Sequence, residues 1–287
     1  MRGIVLAGGS GTRLFPLTKV LSKQLLPVYD KPLVHYPIST LMAAQIREIL
    51  VITTPRDRDL FERLLGDGSE LGMTIKITTQ SDPRGIPEAF LIGEGFIDKG
   101  KSALILGDNI FFGYGLGRQL QQFKNIDGAK VFGYQVSDPE RYGIATIDSS
   151  GKVLAIDEKP LNPQSNIAIT GLYFYDSDVV EICKSLKPSA RGELEISDVN
   201  RHYLDAGRLN LEVLPRGTAW LDTGTFESLH DASTFVRVLE ERQGTKIACL
   251  EEIAWRNNWI SDSDLERLAD NRRGSPLGEY LKSLLAK

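Results

Sequence analysis

Apolar positions in the first part of the chain fall into short runs separated by stripes at helical spacing. The run at 3–7 is strand-sized and gives way at once to a glycine-rich turn. Similar runs stand at 49–52, 74–79 and 103–106, and the stretches 57–65 and 88–96 between them carry helical spacing. Strands alternating with helices predict βαβ units, hence a mostly parallel sheet flanked by helices. Near residue 129 the pattern changes. Strands are predicted at 131–136, 144–147, 153–156 and 171–175, joined by short turns such as Asp148-Ser149-Ser150-Gly151, which implies partly antiparallel additions to the first sheet. Helical spacing returns at 179–186, 196–204 and 226–239. Beyond Gln243-Gly244 the chain reads as wholly helical. There Ile247, Leu250, Ile253 and Ala254 share one face, and Leu277, Tyr280, Leu281, Leu284 and Leu285 form another stripe. A segment this short cannot bury those stripes alone, so they must pack on the main body or on another subunit. The expected organisation is an α/β unit over 1–243, changing character between 128 and 129, and a helical appendage over 244–287.

Composition narrows the class. The chain has 287 residues, 41% apolar and 25% charged, as ordinary globular proteins do. No apolar run reaches membrane-spanning length, and the apolar start is interrupted by Gly8-Gly9 before a signal-peptide core can form. A cytoplasmic protein is therefore expected. A net charge of −4 argues against nucleic-acid or anionic-membrane partners. Cys183 and Cys249 are too few and too far apart for a disulfide framework or a metal cluster, so both are expected as buried thiols. The three histidines, His35, His202 and His230, show no metal-binding pattern.

Chemistry concentrates at three places. The first is Leu6-Ala7-Gly8-Gly9-Ser10-Gly11-Thr12-Arg13-Leu14, directly after the first strand. Glycines there let backbone amides approach an anion, Thr12 adds a hydroxyl, and Arg13 brings a planar fork suited to phosphate. Lys23 can supply a second cation. Walker A needs a Gly-Lys-Ser/Thr ending that is absent, and the dinucleotide fingerprint needs a glycine where Leu14 stands. The second place is Leu106-Gly107-Asp108-Asn109, where the strand at 103–106 ends. A carboxylate at that edge of an open α/β sheet, beside a triphosphate, suits Mg²⁺. Asp222, in Trp220-Leu221-Asp222-Thr223-Gly224-Thr225, is a second carboxylate. It precedes a predicted helix, but Thr225 is better placed to cap that helix, which leaves Asp222 for another task. The third place is Glu158-Lys159-Pro160. Taken alone it reads as an exposed strand end; beside the other two, Lys159 can neutralise a phosphate while Glu158 accepts from sugar hydroxyls.

In this order the segments resemble the sugar-nucleotidylyltransferase superfamily. Gly8-Gly9-Ser10-Gly11-Thr12-Arg13-Leu14-x-Pro16-x-Thr18 followed by Lys23-Gln24-Leu25-Leu26-Pro27-Val28 matches its signature. Within it the chain is similar to the glucose-1-phosphate thymidylyltransferases. Segments 23–32, 106–113, 142–145, 170–176, 192–196 and 246–254 carry that likeness over nearly the whole length. One stretch departs from the usual pattern: Arg84-Gly85-Ile86-Pro87-Glu88-Ala89-Phe90 stands where many relatives have Gly-Leu-Ala-Gln-Ala. Ile86 is expected near the sugar, so the departure bears on the choice of hexose.

The resemblance implies a Rossmann-like nucleotide-diphospho-sugar transferase fold, with the nucleotide bound by about 1–128 and the sugar phosphate by about 129–243. It implies transfer of dTMP from dTTP to glucose 1-phosphate, giving dTDP-glucose and pyrophosphate, as a first step towards dTDP-rhamnose and related deoxysugars. Gly8, Gly9, Ser10, Gly11, Thr12 and Arg13 would cradle the nucleotide phosphates, with Lys23 assisting Arg13. Gln24 and Gln80 would meet the thymine edge, and Gly85 would let base and sugar approach. Asp108 and Asp222 would hold Mg²⁺. Asn109, Gly143, Glu158, Lys159, Ile169 and Arg191 would form the sugar-phosphate pocket. A homotetramer inhibited by a downstream dTDP-sugar is implied for the C-terminal helices. Three alternatives stand beside this reading: the same chemistry with UTP or another hexose 1-phosphate, a non-catalytic nucleotide-sugar sensor, and an NAD-dependent oxidoreductase.

Overall fold

The computed structural model describes residues 1–9 and 11–286. Its centre is a nine-stranded sheet. Strand Arg2–Leu6 lies between Glu48–Thr53 and Ser102–Leu106, parallel to both, and Thr74–Thr79 extends the sheet beyond Glu48–Thr53. These inner strands are buried on both faces, which is why they read as nearly continuous apolar runs. Past Ser102–Leu106 comes Ile167–Tyr175, antiparallel to it, which also pairs with Ala129–Gln135 and Gly143–Ile147. Val153–Glu158 closes one edge against Gly143–Ile147, and Leu209–Val213 adds to Ala129–Gln135 in parallel. Within the sheet, Ile167–Tyr175 and Val153–Glu158 run against the rest. The mixed, mostly parallel sheet expected from the sequence is the one observed.

Period-two alternation divides the inner strands between two cores. Val5, Ile49, Val51, Ala103 and Ile105 face helix His35–Ala43 and the C-terminal helices, through Ile38, Leu41, Leu250, Ala254, Leu265 and Leu281. Ile4, Leu50, Ile52 and Leu104 face Ala89, Phe90, Val180, Val199 and Tyr203 of helices Glu88–Ile92, Val179–Ser185 and Ile196–Asp205. The appendage's stripes thus pack within the same chain: Leu250, Ala254, Leu281 and Leu284 are buried in the first core, Ile253, Leu277, Tyr280 and Leu285 are partly buried against it, and Ile247 is buried beside helix Phe226–Gln243. Glu240, on the long helix Phe226–Gln243, binds Lys31 at 3.0 Å and Lys246 at 2.7 Å, and accepts from the Ile247 amide at 2.8 Å. Asp30 contacts the same two lysines, so a four-charge cluster ties the appendage to the segment that follows Lys23.

Several elements differ from the sequence expectation. The helix expected over 88–96 is two pieces, Glu88–Ile92 and Glu94–Ile97. The break falls at Gly93, where an added Cβ would stand 2.9 Å from the Ala89 carbonyl and 3.1 Å from Ile4. Helix His35–Ala43 was not expected: Tyr36, Pro37, Ile38, Thr40, Leu41 and Met42 are all buried, so it has little polar face to set up a stripe. A ribbon of Asn109–Phe112 with Ala219–Asp222 was likewise not expected, nor was the edge strand Leu209–Val213. Cys183 and Cys249 are buried thiols, and burial pushes the Cys183 thiol up to about 12.

Candidate active site

Strand Ile167–Tyr175 changes partner along its length. Its C-terminal half pairs with Ser102–Leu106 through residues 172–175, while residues 167–168 pair with Gly143–Ile147. Between the two pairings neither neighbour is bonded, and there the register against a third strand, Ala129–Gln135, slips between Ile169 and Tyr173. Gly171 sits in this gap, and its amide donates to Asn109 Oδ1 at 3.2 Å. A Cβ on Gly171 would stand 2.6 Å from that oxygen and 2.8 Å from Leu106, so glycine is what lets the ribbon approach. Gly107 is similarly close-packed, with a virtual Cβ 2.8 Å from the Leu6 carbonyl. The chain turns there out of the sheet and into the ribbon, presenting Asp108.

The ribbon brings the two carboxylates together across 114 positions of sequence, since Asp222 pairs with Asn109, the residue after Asp108. Thr223 anchors the junction, donating from its amide and its hydroxyl to the Asp108 carbonyl at 3.1 and 3.0 Å. Thr225 caps helix Phe226–Gln243 in a capping box with Ser228, as its position suggested, and Asp222 takes no part in the cap. Asn109 is buried. Its amide donates to Asp108 Oδ1 at 2.8 Å, and its oxygen accepts from Trp220 Nε1 at 2.6 Å as well as from Gly171. One amide hydrogen remains for a ligand.

A cavity of about 320 Å³ opens over this junction, lined by Arg13, Asp108, Asp222, Asn109, Gly143, Glu158, Lys159 and Ile169 among others. Lys23 Nζ binds Asp108 Oδ2 at 2.5 Å from below. Burial works against the charged Asp108 carboxylate, but the Lys23 ammonium and the bonds from Lys23 and Asn109 outweigh it and hold the group below its ordinary value. Asp222 goes the other way. Burial raises it, the Asp108 charge adds to the rise, and Arg141 at 3.5 Å, Lys23 and Arg13 only partly oppose them. Arg13 Nη1 and Asp222 Oδ2 lie 3.5 and 3.6 Å from where a Cβ on Gly224 would stand. Arginine and both aspartates therefore face one space.

A second cavity of about 230 Å³ adjoins the first, sharing Ile86, Glu158, Lys159 and Ile196 with it, and is lined by Gly8, Gly9, Gln80, Gly85 and Arg191. Gly9 and Gly11 have φ of 106° and 57°, left-handed conformations that suit glycine. Among the described residues, the amides of Gly8, Gly9 and Gly11 have no hydrogen-bond acceptor. Thr12 and Arg13 are exposed on the short 3₁₀ turn that follows. Ser10 lies outside the described residues. Gly85 has φ of 103° and bridges Leu194, whose carbonyl would be 2.0 Å from an added Cβ.

Glu158 Oε2 accepts from Ser197, and its Oε1 lies 3.7 Å from both Lys159 Nζ and Arg191 Nη2. Arg191 is itself bonded to Glu195 at 2.7 Å. Gly11, Thr12, Lys23 and Gln24 are the described sequence candidates that line neither cavity; Gln24 is buried against Gly107, its Oε1 accepting from Ser22 at 2.5 Å. Sequence reasoning missed Arg141, Tyr142, Ser197, Asn200 and Trp220, all on the wall of the larger cavity. Ser197 and Asn200 carried a readable signal, as polar residues three apart on the apolar face of helix Ile196–Asp205.

Comparison with known proteins gives the chain a family. The nucleotidyl transferase family profile matches residues 2–238. Over 287 residues, all of both chains, the sequence is 55% identical to the glucose-1-phosphate thymidylyltransferase of Mycobacterium tuberculosis. It is 55% identical over 288 residues to that of Neisseria gonorrhoeae, again all of both chains. A Bacillus anthracis protein crystallised with sucrose superposes with a TM-score of 0.76 at 40% identity, covering 83% of this chain and 95% of that one. Identity at this level over the whole length means that the chain belongs to the nucleotidyl transferase family, among its glucose-1-phosphate thymidylyltransferases.

Proposed function

We propose that the protein transfers dTMP from dTTP to glucose 1-phosphate, releasing pyrophosphate. The observation that carries this reading is the pair of adjoining cavities: glycine amides without acceptors among the described residues and a buried amide side chain line one, and Arg13, Lys159 and two carboxylates line the other. In this reading the nucleoside occupies the cavity of Gly8, Gln80 and Gly85, and the hexose phosphate occupies that of Gly143, Glu158 and Ile169. A phosphate oxygen of glucose 1-phosphate attacks the α-phosphorus of dTTP. The bond from that phosphorus to the bridging oxygen of the leaving pyrophosphate breaks, and the bond electrons leave with pyrophosphate. The attacking phosphate is already ionised, so no general base is required.

The protein's task is then to hold two anions in line against their repulsion. Arg13 and the amides of Gly8 and Gly9 hold the triphosphate. Lys159, on the shared wall, neutralises the sugar phosphate, and Glu158 orients the hexose. Lys23 fixes Asp108 in its ionised form. Asp108 and Asp222, hard oxygen donors side by side at the end of the ribbon, suit a magnesium ion that keeps most of its waters, and Asp222 is held only by Arg141 at 3.5 Å among the described residues. When bound there, the ion supplies further neutralisation of phosphate charge. We extend the reading to a homotetramer, which light scattering tests. A pyrophosphate-release assay over a grid of nucleoside triphosphates and hexose 1-phosphates, with and without Mg²⁺, tests the activity. Fastest turnover with dTTP and glucose 1-phosphate is expected, and UTP or another hexose giving the highest kcat/KM would overturn the substrate assignment.

A further inference from the structure

Gln80 follows strand Thr74–Thr79 and is buried, with its backbone amide held by the Thr53 carbonyl at 2.8 Å. Its side chain lies on the floor of the cavity assigned above to the nucleoside. An amide side chain has two unlike ends, and which end faces a ligand decides which ligand edge it can meet. Here the choice is made by Glu88, the half-buried first residue of helix Glu88–Ile92, whose Oε2 receives Gln80 Nε2 at 2.5 Å. A carboxylate only accepts, so the amide nitrogen must turn to Glu88. The carbonyl end is left facing Gly8, with Oε1 3.0 Å from where a Cβ on that glycine would stand. Pro87, just before Glu88, stiffens the entry to the helix and limits how far the carboxylate can swing.

We infer that Glu88 is a positioning residue for base selection: it locks the Gln80 amide so that an acceptor faces the base. The inference rests on the nucleoside assignment made above. An acceptor at that point suits a pyrimidine with an N–H at ring position 3, as thymine and uracil have. Cytosine offers a lone pair there and leaves two acceptors opposed, which costs binding and turnover together. Ser22 gives no comparable lock to Gln24, because a hydroxyl donates or accepts as needed.

The test compares kcat/KM for dTTP and dCTP, with glucose 1-phosphate, in the unaltered protein and in two variants. Glu88→Gln frees the Gln80 amide to turn, and the dTTP-to-dCTP ratio is expected to fall roughly tenfold to a hundredfold, the worth of one hydrogen bond to a charged group. Glu88→Lys offers only donors to the amide, and the ratio is expected to fall further. A merely structural role would lower turnover of both nucleotides alike, so an unchanged ratio in folded Glu88→Gln overturns the inference. A measurement on the unaltered protein guards against misfolded variants: N3-methyl-dTTP, which lacks the hydrogen, should be turned over at least tenfold less efficiently than dTTP. Equal use of the two would equally overturn the inference. Failure of the unaltered protein to use dTTP at all would instead sink the underlying substrate assignment, and this inference with it.

Discussion

Replacing Asp108 by asparagine isolates charge from shape. The side chain keeps its size, and Oδ1 can still accept from Asn109 Nδ2, now at 2.8 Å. What changes is the other terminal atom, which becomes an NH₂ facing Lys23 Nζ across the present 2.5 Å. Two donors then oppose each other beside an ammonium that is only 10% exposed. Leaving that charge without its acceptor costs about 2–3 kcal/mol, and for a chain of this size the melting temperature should drop by roughly 3–5 °C. The catalytic cost is larger. Removing one preorganised charge from a site where phosphate charge must be balanced is worth about 10²–10³ in kcat. The same substitution removes a like charge from beside Asp222, so that carboxyl should titrate lower than before. The assay is pyrophosphate release at saturating substrates and 25 °C, run beside a thermal melt. Activity within threefold of wild type would refute the placing of the reaction over this ribbon, and a large rise in melting temperature would refute the account of the Lys23 pair.

Asp222→Asn should behave in the opposite way towards heat. A carboxyl whose folded pKa is raised binds its proton more tightly in the folded state, so its contribution to stability falls as pH rises through that pKa and stays low above it. The variant should therefore melt higher than wild type at pH 7 while losing most of its activity, and a lower melting temperature would contradict the assigned direction. Gly171→Ala puts a methyl 2.6 Å from Asn109 Oδ1, and overpacking of this kind costs about 1–3 kcal/mol; kcat should fall as Asn109 and Asp108 are displaced, which steady-state kinetics beside a denaturant melt would measure. Glu240→Gln removes a buried charge held by Lys31 and Lys246, and urea unfolding should show a loss of about 3 kcal/mol, whereas an unchanged midpoint would mean that the cluster does not tie down the appendage.

Local signals made half of this site legible. The glycine turn, Asp108 at a strand end and the release of Asp222 from capping duty all follow from residues within a few positions of one another, and the structure has Thr225 doing the capping. The inner strands were readable because burial on both faces leaves an apolar run with no polar interruption. The ribbon was not readable. Asn-Ile-Phe-Phe and Ala-Trp-Leu-Asp are too short and too far apart for either to announce a partner, and their pairing is fixed by where Leu106 and Leu214 leave the sheet. Arg141 was hidden for the same reason: nothing near it in sequence points to Asp222, 81 positions away.

The deeper dependence is on a strand that cannot keep one neighbour. Ile167–Tyr175 is buried along nearly its whole length, so it must be covered on both sides, yet Ser102–Leu106 ends after pairing with only its last four residues. Continuing that neighbour straight on would have closed the sheet and buried Asp108 without solvent or ligand. Gly107 instead turns the chain out of the sheet, and Gly143–Ile147 takes over beyond the gap. The orphaned buried hydroxyl of Thr170 marks the same spot, where a strand residue has lost its regular surroundings. A cavity with charged walls thus arises from a break in β-pairing that a continuous sheet would forbid, and the glycines at 107 and 171 are the residues that make the break sterically possible.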